Sequence, residues 1–345
     1  MVQLIANSDI NPGNEDDFTD RLRRVCRAWR DIGHLDDAAV AEQIRADNVN
    51  VLLDMSGHGG SRMLVYAHRA APVQVKWVGN QLGTTGITTM GWFLGDIEEV
   101  PAGHERWYVE DVYRMPDAYA VYHPPANSPA VSPLPALHKG HITFGCFNKP
   151  IKMTPEIIAV WADILRAVPD SRLFLKGKAF NIPEPVDRFR RLFMDRDVDP
   201  DLLIFEGASP HSTLLECYNR VDISLDPWPY SGCVTTLESL WMGVPVLSRS
   251  GPGFTGRHSA SFLRTVGLDD WLVDDFGTYV DNAIWWANHL HDLAVLRGSM
   301  RDRVAASPQC DGPRFARNLE AALDHMWRAA CKQTVEEDAA VSMKA

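Results

Sequence analysis

No C-x-x-C pair occurs in this chain. Its six cysteines, Cys26, Cys146, Cys217, Cys233, Cys310 and Cys331, stand singly. That excludes a zinc ribbon or finger and is too sparse for a disulfide scaffold. Scattered thiols fit a reducing, cytoplasmic setting. Positive charge is also short: 34 Lys and Arg against 45 Asp and Glu leave a net charge of −11. This excludes a nucleic-acid binder built on a basic face, because phosphate neutralisation needs clustered cations. A local pocket for one phosphate group remains open. No apolar run reaches the roughly 18 residues of a membrane span. No secretory leader is visible, and no repeat of roughly 20–50 residues is apparent.

What is present is apolar material, 46% of 345 residues, enough for two ordinary domains. Strand-like and helix-like segments alternate, the signature of parallel α/β architecture. Residues 2–6, 49–54 and 72–78 read as strands, and 15–28 and 36–46 as helices. Six prolines between Pro116 and Pro135 predict an extended, irregular connection, since proline fixes φ and donates no ladder hydrogen bond. Beyond it, strands are expected at 141–148, 172–176, 202–205, 222–225 and 245–248. Helices are expected at 154–168, 185–193, about 211–219, 234–242, 276–305 and 313–330. The organisation is therefore an N-terminal lobe at 1–118, a Pro-rich connection at 119–140, a second lobe at 141–331 and a polar, fraying tail at 332–345.

Two segments carry chemistry. The first, DISLDPWPYSGCVTTLESLWMGVP at 222–245, is a strand, a Pro- and Gly-rich turn, and a helix start. Free backbone N–H groups after Gly232, the positive end of the helix dipole, and the hydroxyls of Thr235 and Thr236 suit an anion. Glu238 lies three residues after Thr235, so the same residues also fit a capping box with a purely local role. The second, FGCFNKPIK at 144–152, sits at a strand end, where ligands of open α/β sheets bind. Lys149 and Lys152 there are placed to neutralise a diphosphate; solvated loop lysines are the bland alternative. The acidic run at 195–201, with Glu206 following, imitates a calcium loop. Its sixth position is Pro200, where glycine is required, so a solvated loop followed by a strand is expected and no metal site.

These segments, with VNVLLDMSGHGGSRMLVYAHRAAPVQVKWVGNQLGTTG at 49–86 and SPQCDGPRFARNLEAALDHMW at 307–327, resemble the catalytic region of the O-linked N-acetylglucosamine transferase family, including its SPINDLY-like members. The likeness runs over about residues 20–330. It implies a GT-B fold of two Rossmann-like lobes with parallel sheets, the N-terminal lobe incomplete. It also implies a metal-independent, cofactor-free, inverting transfer from a nucleotide sugar such as UDP-N-acetylglucosamine to Ser or Thr of a protein acceptor. Carried over by motif, Lys152 matches the lysine that stabilises the departing diphosphate. Thr235 matches the threonine that contacts phosphate, and Glu238 the acidic residue on the ribose. Lys149 stands where an amide contacts the donor, beside Asn148, and the loop from Gly83 and Thr84 to Gly86 faces the sugar.

The chain also departs from the family pattern. Ala28 stands before WRDI where a histidine is frequent, Cys233 and Leu214 replace histidines in the second lobe, and the tetratricopeptide repeats are absent. His58, in SGHGG, is the best remaining histidine of the first lobe, and His211 a donor-side candidate in the second. Three readings stay open: an active protein O-glycosyltransferase, a donor-binding module without catalysis, or a chain whose annotated start lies too late. Oligomeric state is not legible.

Overall fold

The computed structural model describes residues 4–9, 15–60, 62–79 and 83–342. Val2 and Gln3 of the first expected strand lie outside the described residues. The chain divides into two units that interleave in sequence. The first comprises Met1–Leu94, His104–Tyr113 and Glu320–Ala345; the second comprises Gly95–Gly103 and Arg114–Leu319.

In the first unit, β1 (Ile5–Ser8) is followed by α1 (Asp17–Val25), β2 (Ala28–Asp31), α2 (Asp37–Ala46), β3 (Val51–Asp54), α3 (Met63–Ala67) and β4 (Val73–Lys76). β5 (Trp92–Asp96) and β6 (Asp111–Met115) begin in this unit. β1 and β2 form a parallel pair, and β3-β4-β5-β6 a second sheet. Helical spacing over 15–28 extends past the true helix end. The chain turns extended at Cys26, and Ala28–Asp31 pairs with β1 instead. Ladder bonding overrides a local pattern that has no stop signal. α2 is capped by Asp36, which accepts from the N–H of Ala39 at 2.8 Å. It buries Val40, Ala41 and Ile44 against Leu52, Val65, Tyr66 and Met90.

At the carboxyl end of β3, buried Asp54 pairs with buried Lys76 at 3.1 Å. It also accepts from the N–H groups of Ser56 and Gly57, which shapes the turn carrying His58. Gly79 closes this turn with φ +75°, and a Cβ there would lie 2.0 Å from the Met55 carbonyl oxygen, so only glycine fits.

The second unit contains α4 (Ala136–Lys139), β7 (Thr143–Cys146), α5 (Pro155–Ala167), β8 (Arg172–Lys176), α6 (Pro183–Met194), β9 (Leu203–Glu206), α7 (His211–Cys217), β10 (Ile223–Leu225), α8 (Val234–Trp241), β11 (Val246–Arg249), α9 (His258–Thr265) and β12 (Leu272–Val273). It closes with α10 (Phe276–Asn288), α11 (Leu290–Ala306) and the first part of α12 (Gly312–Ser342). The six strands are parallel in the order β12-β11-β10-β7-β8-β9. Counted in chain order this is 3-2-1-4-5-6 from the β9 edge, the doubly wound Rossmann arrangement. The central strands are buried apolar runs, as sheets covered on both faces require.

Thr154 caps α5 by accepting from Ile157 N–H, with Pro155 at the first turn. α5 buries Ile157, Ile158, Trp161, Ile164 and Leu165 at helical spacing. Each such side chain contributes roughly 1.5–3 kcal/mol.

Three sequence expectations change here. The helix expected at 276–305 is two, broken at His289, whose backbone leaves the helical region. α9 and β12 had no counterpart in the sequence reading. The tail expected to fray continues as helix through Ser342, because residues 332–342 contain no proline or glycine to stop it. The Pro-rich stretch is irregular until α4 and belongs to the second unit. Buried Arg297 holds it by donating to the carbonyl oxygens of Ser132 and Val221, each at 2.8 Å.

Candidate functional site

The chain reverses its winding between β7 and β10, and their carboxyl ends diverge there into a crevice. Its lining includes Cys146, Asn148, Ser224, Asp226, Thr235 and Thr236. Ligands of open α/β sheets bind at such a switch point. Asn148, buried just past β7, accepts a hydrogen bond from Thr235 Oγ1 at 3.1 Å. The short turn Pro150–Lys152 then brings Lys152 to the same place. Its ammonium donates to the Ser231 carbonyl oxygen at 2.7 Å and lies 3.8 Å from the centre of the Tyr230 ring. Burial lowers the Lys152 pKa, and the Asp226 carboxylate opposes the shift. One of its three N–H donors goes to Ser231, which leaves capacity for an incoming anion.

α8 starts at Val234, and no side chain caps it. The capping-box alternative is therefore overturned: the Thr235 hydroxyl is committed to Asn148, and Glu238 to His211 at 2.7 Å. The first-turn N–H groups are not taken by a side chain, and the helix dipole is directed at the crevice. Burial raises the Glu238 pKa, with His211 working against it. Gly232 donates its N–H to Asp226 Oδ1 at 2.6 Å. A Cβ on Gly232 would lie 2.3 Å from Thr236 Oγ1 and 2.9 Å from Thr235 Oγ1. Asp226 also accepts from Ser248 Oγ at 2.6 Å, and burial raises its pKa.

Asn148, Lys152, Gly232, Thr235 and Thr236 thus converge, with Glu238 one helical turn further along α8, where His211 at the start of α7 meets it. Lys149 is exposed at the rim of the Pro150–Lys152 turn. His58, Gly83 and Thr84 belong to the first unit. His58 is exposed in the short turn after β3. Thr84 donates to Glu110 Oε2 at 2.7 Å, and Thr85 N–H to Glu110 Oε1 at 2.7 Å, which anchors the GTTG loop.

Sequence reasoning missed Asp226, Tyr230 and the Ser231 carbonyl, and behind them Glu99, Tyr119 and His258. Asp226, Tyr230 and Ser231 lie inside the quoted motif, around its prolines, and were within reach. Glu99, Tyr119 and His258 enter through contacts across more than a hundred residues. Among the described residues, no group of three His, Cys, Asp or Glu side chains is placed to hold a metal ion. No described helix is long and apolar enough to cross a membrane.

Comparison with known proteins accords with this geometry. The family model described as "Glycosyl transferase family 41" matches residues 6–124 and 134–319. The chain is 37% identical, over 91% of its length, to a probable UDP-N-acetylglucosamine–peptide N-acetylglucosaminyltransferase SPINDLY of Petunia hybrida, and covers 34% of that protein. It is 36% identical, over 92% of its length, to the Arabidopsis thaliana SPINDLY, of which it covers 35%. The chain thus spans about a third of the length of the curated relatives it matches. Among solved structures, a mutant of the Thermobaculum terrenum O-GlcNAc transferase superposes with TM-score 0.91 at 36% identity, covering 96% of this chain and 63% of that one. That likeness and the parallel Rossmann-like sheets make the fold GT-B. With a lysine, a threonine-bearing helix start and a buried glutamate assembled at the switch point, and a family model matched along most of its length, the chain belongs to glycosyl transferase family 41.

Proposed function

We propose that this chain is the catalytic region of an enzyme that moves a sugar from a nucleotide diphosphate donor to Ser or Thr hydroxyls of a protein. The donor is taken to be UDP-N-acetylglucosamine, the sugar nucleotide in the names of the relatives. The observation that carries this reading is the convergence of Lys152, the Asn148–Thr235 pair and the uncapped start of α8 at the Rossmann switch point.

Breaking a sugar–phosphate bond leaves negative charge on the diphosphate, and preorganised donors aimed at that charge lower the barrier. Lys152 supplies a cation held ready by Ser231 and Tyr230. The N–H groups of Val234 and Thr235, at the uncapped start of α8, supply neutral donors. Glu238 takes the ribose hydroxyls, and Asn148 and Lys149 border the donor. No metal is needed, because the lysine and the helix start do the neutralising. His58 and the Gly83–Thr84 loop, in the first unit, are assigned to the sugar and acceptor side. Free thiols at all six cysteine positions support a cytoplasmic setting.

Calorimetry with UDP, GDP and their sugars, followed by donor hydrolysis and transfer to peptide, tests the reading. Saturable nucleoside diphosphate binding and turnover are expected. K152A should lower turnover by roughly a hundred- to a thousandfold, the effect of removing one charge-stabilising donor. Unchanged turnover in K152A would remove Lys152 from its role. Binding without any turnover would favour a donor-binding module.

A further inference from the structure

Behind the Lys152 turn lies a buried polar pair that the donor site does not account for. His258, the first residue of α9, places Nδ1 2.5 Å from Glu99 Oε1. The Glu99 side chain is fully buried, and its second oxygen, Oε2, has no hydrogen-bond partner among the described residues. An unsatisfied buried carboxylate oxygen is costly, so the arrangement carries a stability cost. Several residues around the pair lead to the donor turn. Tyr119 stacks on the His258 ring, with centroids 5.6 Å apart and planes at 21°. The Tyr119 hydroxyl meets Cys233 Sγ at 3.4 Å, one residue before α8 begins. Tyr230, whose ring faces Lys152, is edge-on to His258 at 6.3 Å. Ser259, the next residue of α9, donates to the Gly232 carbonyl oxygen and meets Thr236 Oγ1 at 2.8 Å.

We propose that the Glu99–His258 pair is a positioning device for the diphosphate site, fixing the 230–233 turn through Tyr119, Tyr230 and Cys233 so that Lys152 and the α8 start meet one anion in register. The inference rests on the diphosphate reading of that site. Burial pushes the Glu99 carboxyl well up. Burial, and then the Lys152 charge, push the His258 imidazole down to about 3. His258 is therefore neutral at pH 7, and burial disfavours charge on Glu99 as well. A neutral His258 puts no further cation behind the turn that faces Lys152. Neither Glu99 nor His258 touches the donor in this scheme.

The test compares affinity for a nucleoside diphosphate with affinity for its nucleoside, UDP against uridine and GDP against guanosine, by calorimetry on the full chain. The ratio isolates the phosphate part of binding, which a merely structural defect would not move selectively. H258F keeps the aromatic stack and removes Nδ1, and it should lower the ratio about tenfold. E99L/H258F replaces both partners by apolar groups, which spares the fold, and should lower the ratio equally. E99Q and H258N keep a hydrogen-bonding atom at the contact and should recover most of it. A wild-type ratio in E99L/H258F, with thermal melting showing a folded chain, overturns the positioning role. A wild-type chain that binds diphosphate no better than nucleoside overturns the diphosphate reading itself.

Discussion

Gly232 sits where three side chains leave no volume. An added Cβ would press on Thr236 Oγ1, Thr235 Oγ1 and Asp226 Oδ1, at 2.3, 2.9 and 3.0 Å. G232A should therefore displace the Thr235 and Thr236 hydroxyls at the start of α8, weakening UDP binding by at least tenfold in calorimetry. Overpacking of this kind costs about 1–3 kcal/mol, measurable by denaturant unfolding. Glu238 presents the opposite trade. Its folded pKa is raised, chiefly by burial, so the native state holds the proton more tightly than the unfolded chain does. Stability from this group is present below the unfolded carboxylate pKa and falls as pH rises through the folded one. E238Q removes the ionisation penalty. Its melting temperature should exceed that of the parent at pH 7, and the gain should vanish near pH 3, where the carboxyl is protonated in both states of the parent. The same variant should bind UDP less well, since an amide accepts ribose hydroxyls more weakly than a carboxylate. A difference between E238Q and the parent that is the same at both pH values would show that Glu238 carries no such strain.

Among the elements, legibility followed local signals. α5 has a threonine cap, a proline at its first turn and an apolar face, and β7, β8 and β11 are apolar runs between breakers. All were within about two residues in the sequence. α9, HSASFLRT, carries two serines and a threonine, which are weak helix formers. It is helical because Ala260, Phe262 and Leu263 are buried, a tertiary cause that no local window contains. β5 and β6 were missed for the same reason. In the site, Lys152, Thr235 and Glu238 were visible because motif and strand end coincide. Glu99 and His258, 159 residues apart, had no shared local signal. α11 tests the tertiary cause directly. Arg297 is 1% exposed, and burial lowers its pKa only to about 10, so it stays charged while bonded to the Val221 and Ser132 carbonyl oxygens. R297M leaves those carbonyls unpaired beside β10. It should cost about 2–4 kcal/mol in urea unfolding, the sum of roughly 1–3 for each unsatisfied group less the regained apolar packing. A cost under 1 kcal/mol would mean that water replaces the guanidinium.

At the scale of the whole molecule, sequence order and structural unit part company. α12 leaves the second unit at Leu319 and enters the first at Glu320. There it buries Ala322 and Met326 and sets His325 against Trp92 and Tyr113, at 5.7 and 5.5 Å. Every residue assigned to the nucleotide lies in the second unit, whereas His58 and the Gly83–Thr84 loop lie in the first. Ending the chain after Leu319 should therefore separate binding from transfer. The first unit loses buried side chains, of which a methionine alone is worth roughly 1.5–3 kcal/mol, and its local opening becomes frequent. Limited proteolysis read by mass spectrometry should show cleavage concentrated within residues 4–94. UDP affinity should stay within about threefold of the full chain, because ligand linkage acts on the unit that binds. Transfer to peptide should be lost, since the residues assigned to the sugar and acceptor stand on the opened unit. If UDP affinity fell together with transfer, the nucleotide site would depend on the first unit, and the assignment of donor binding to the second unit alone would be wrong.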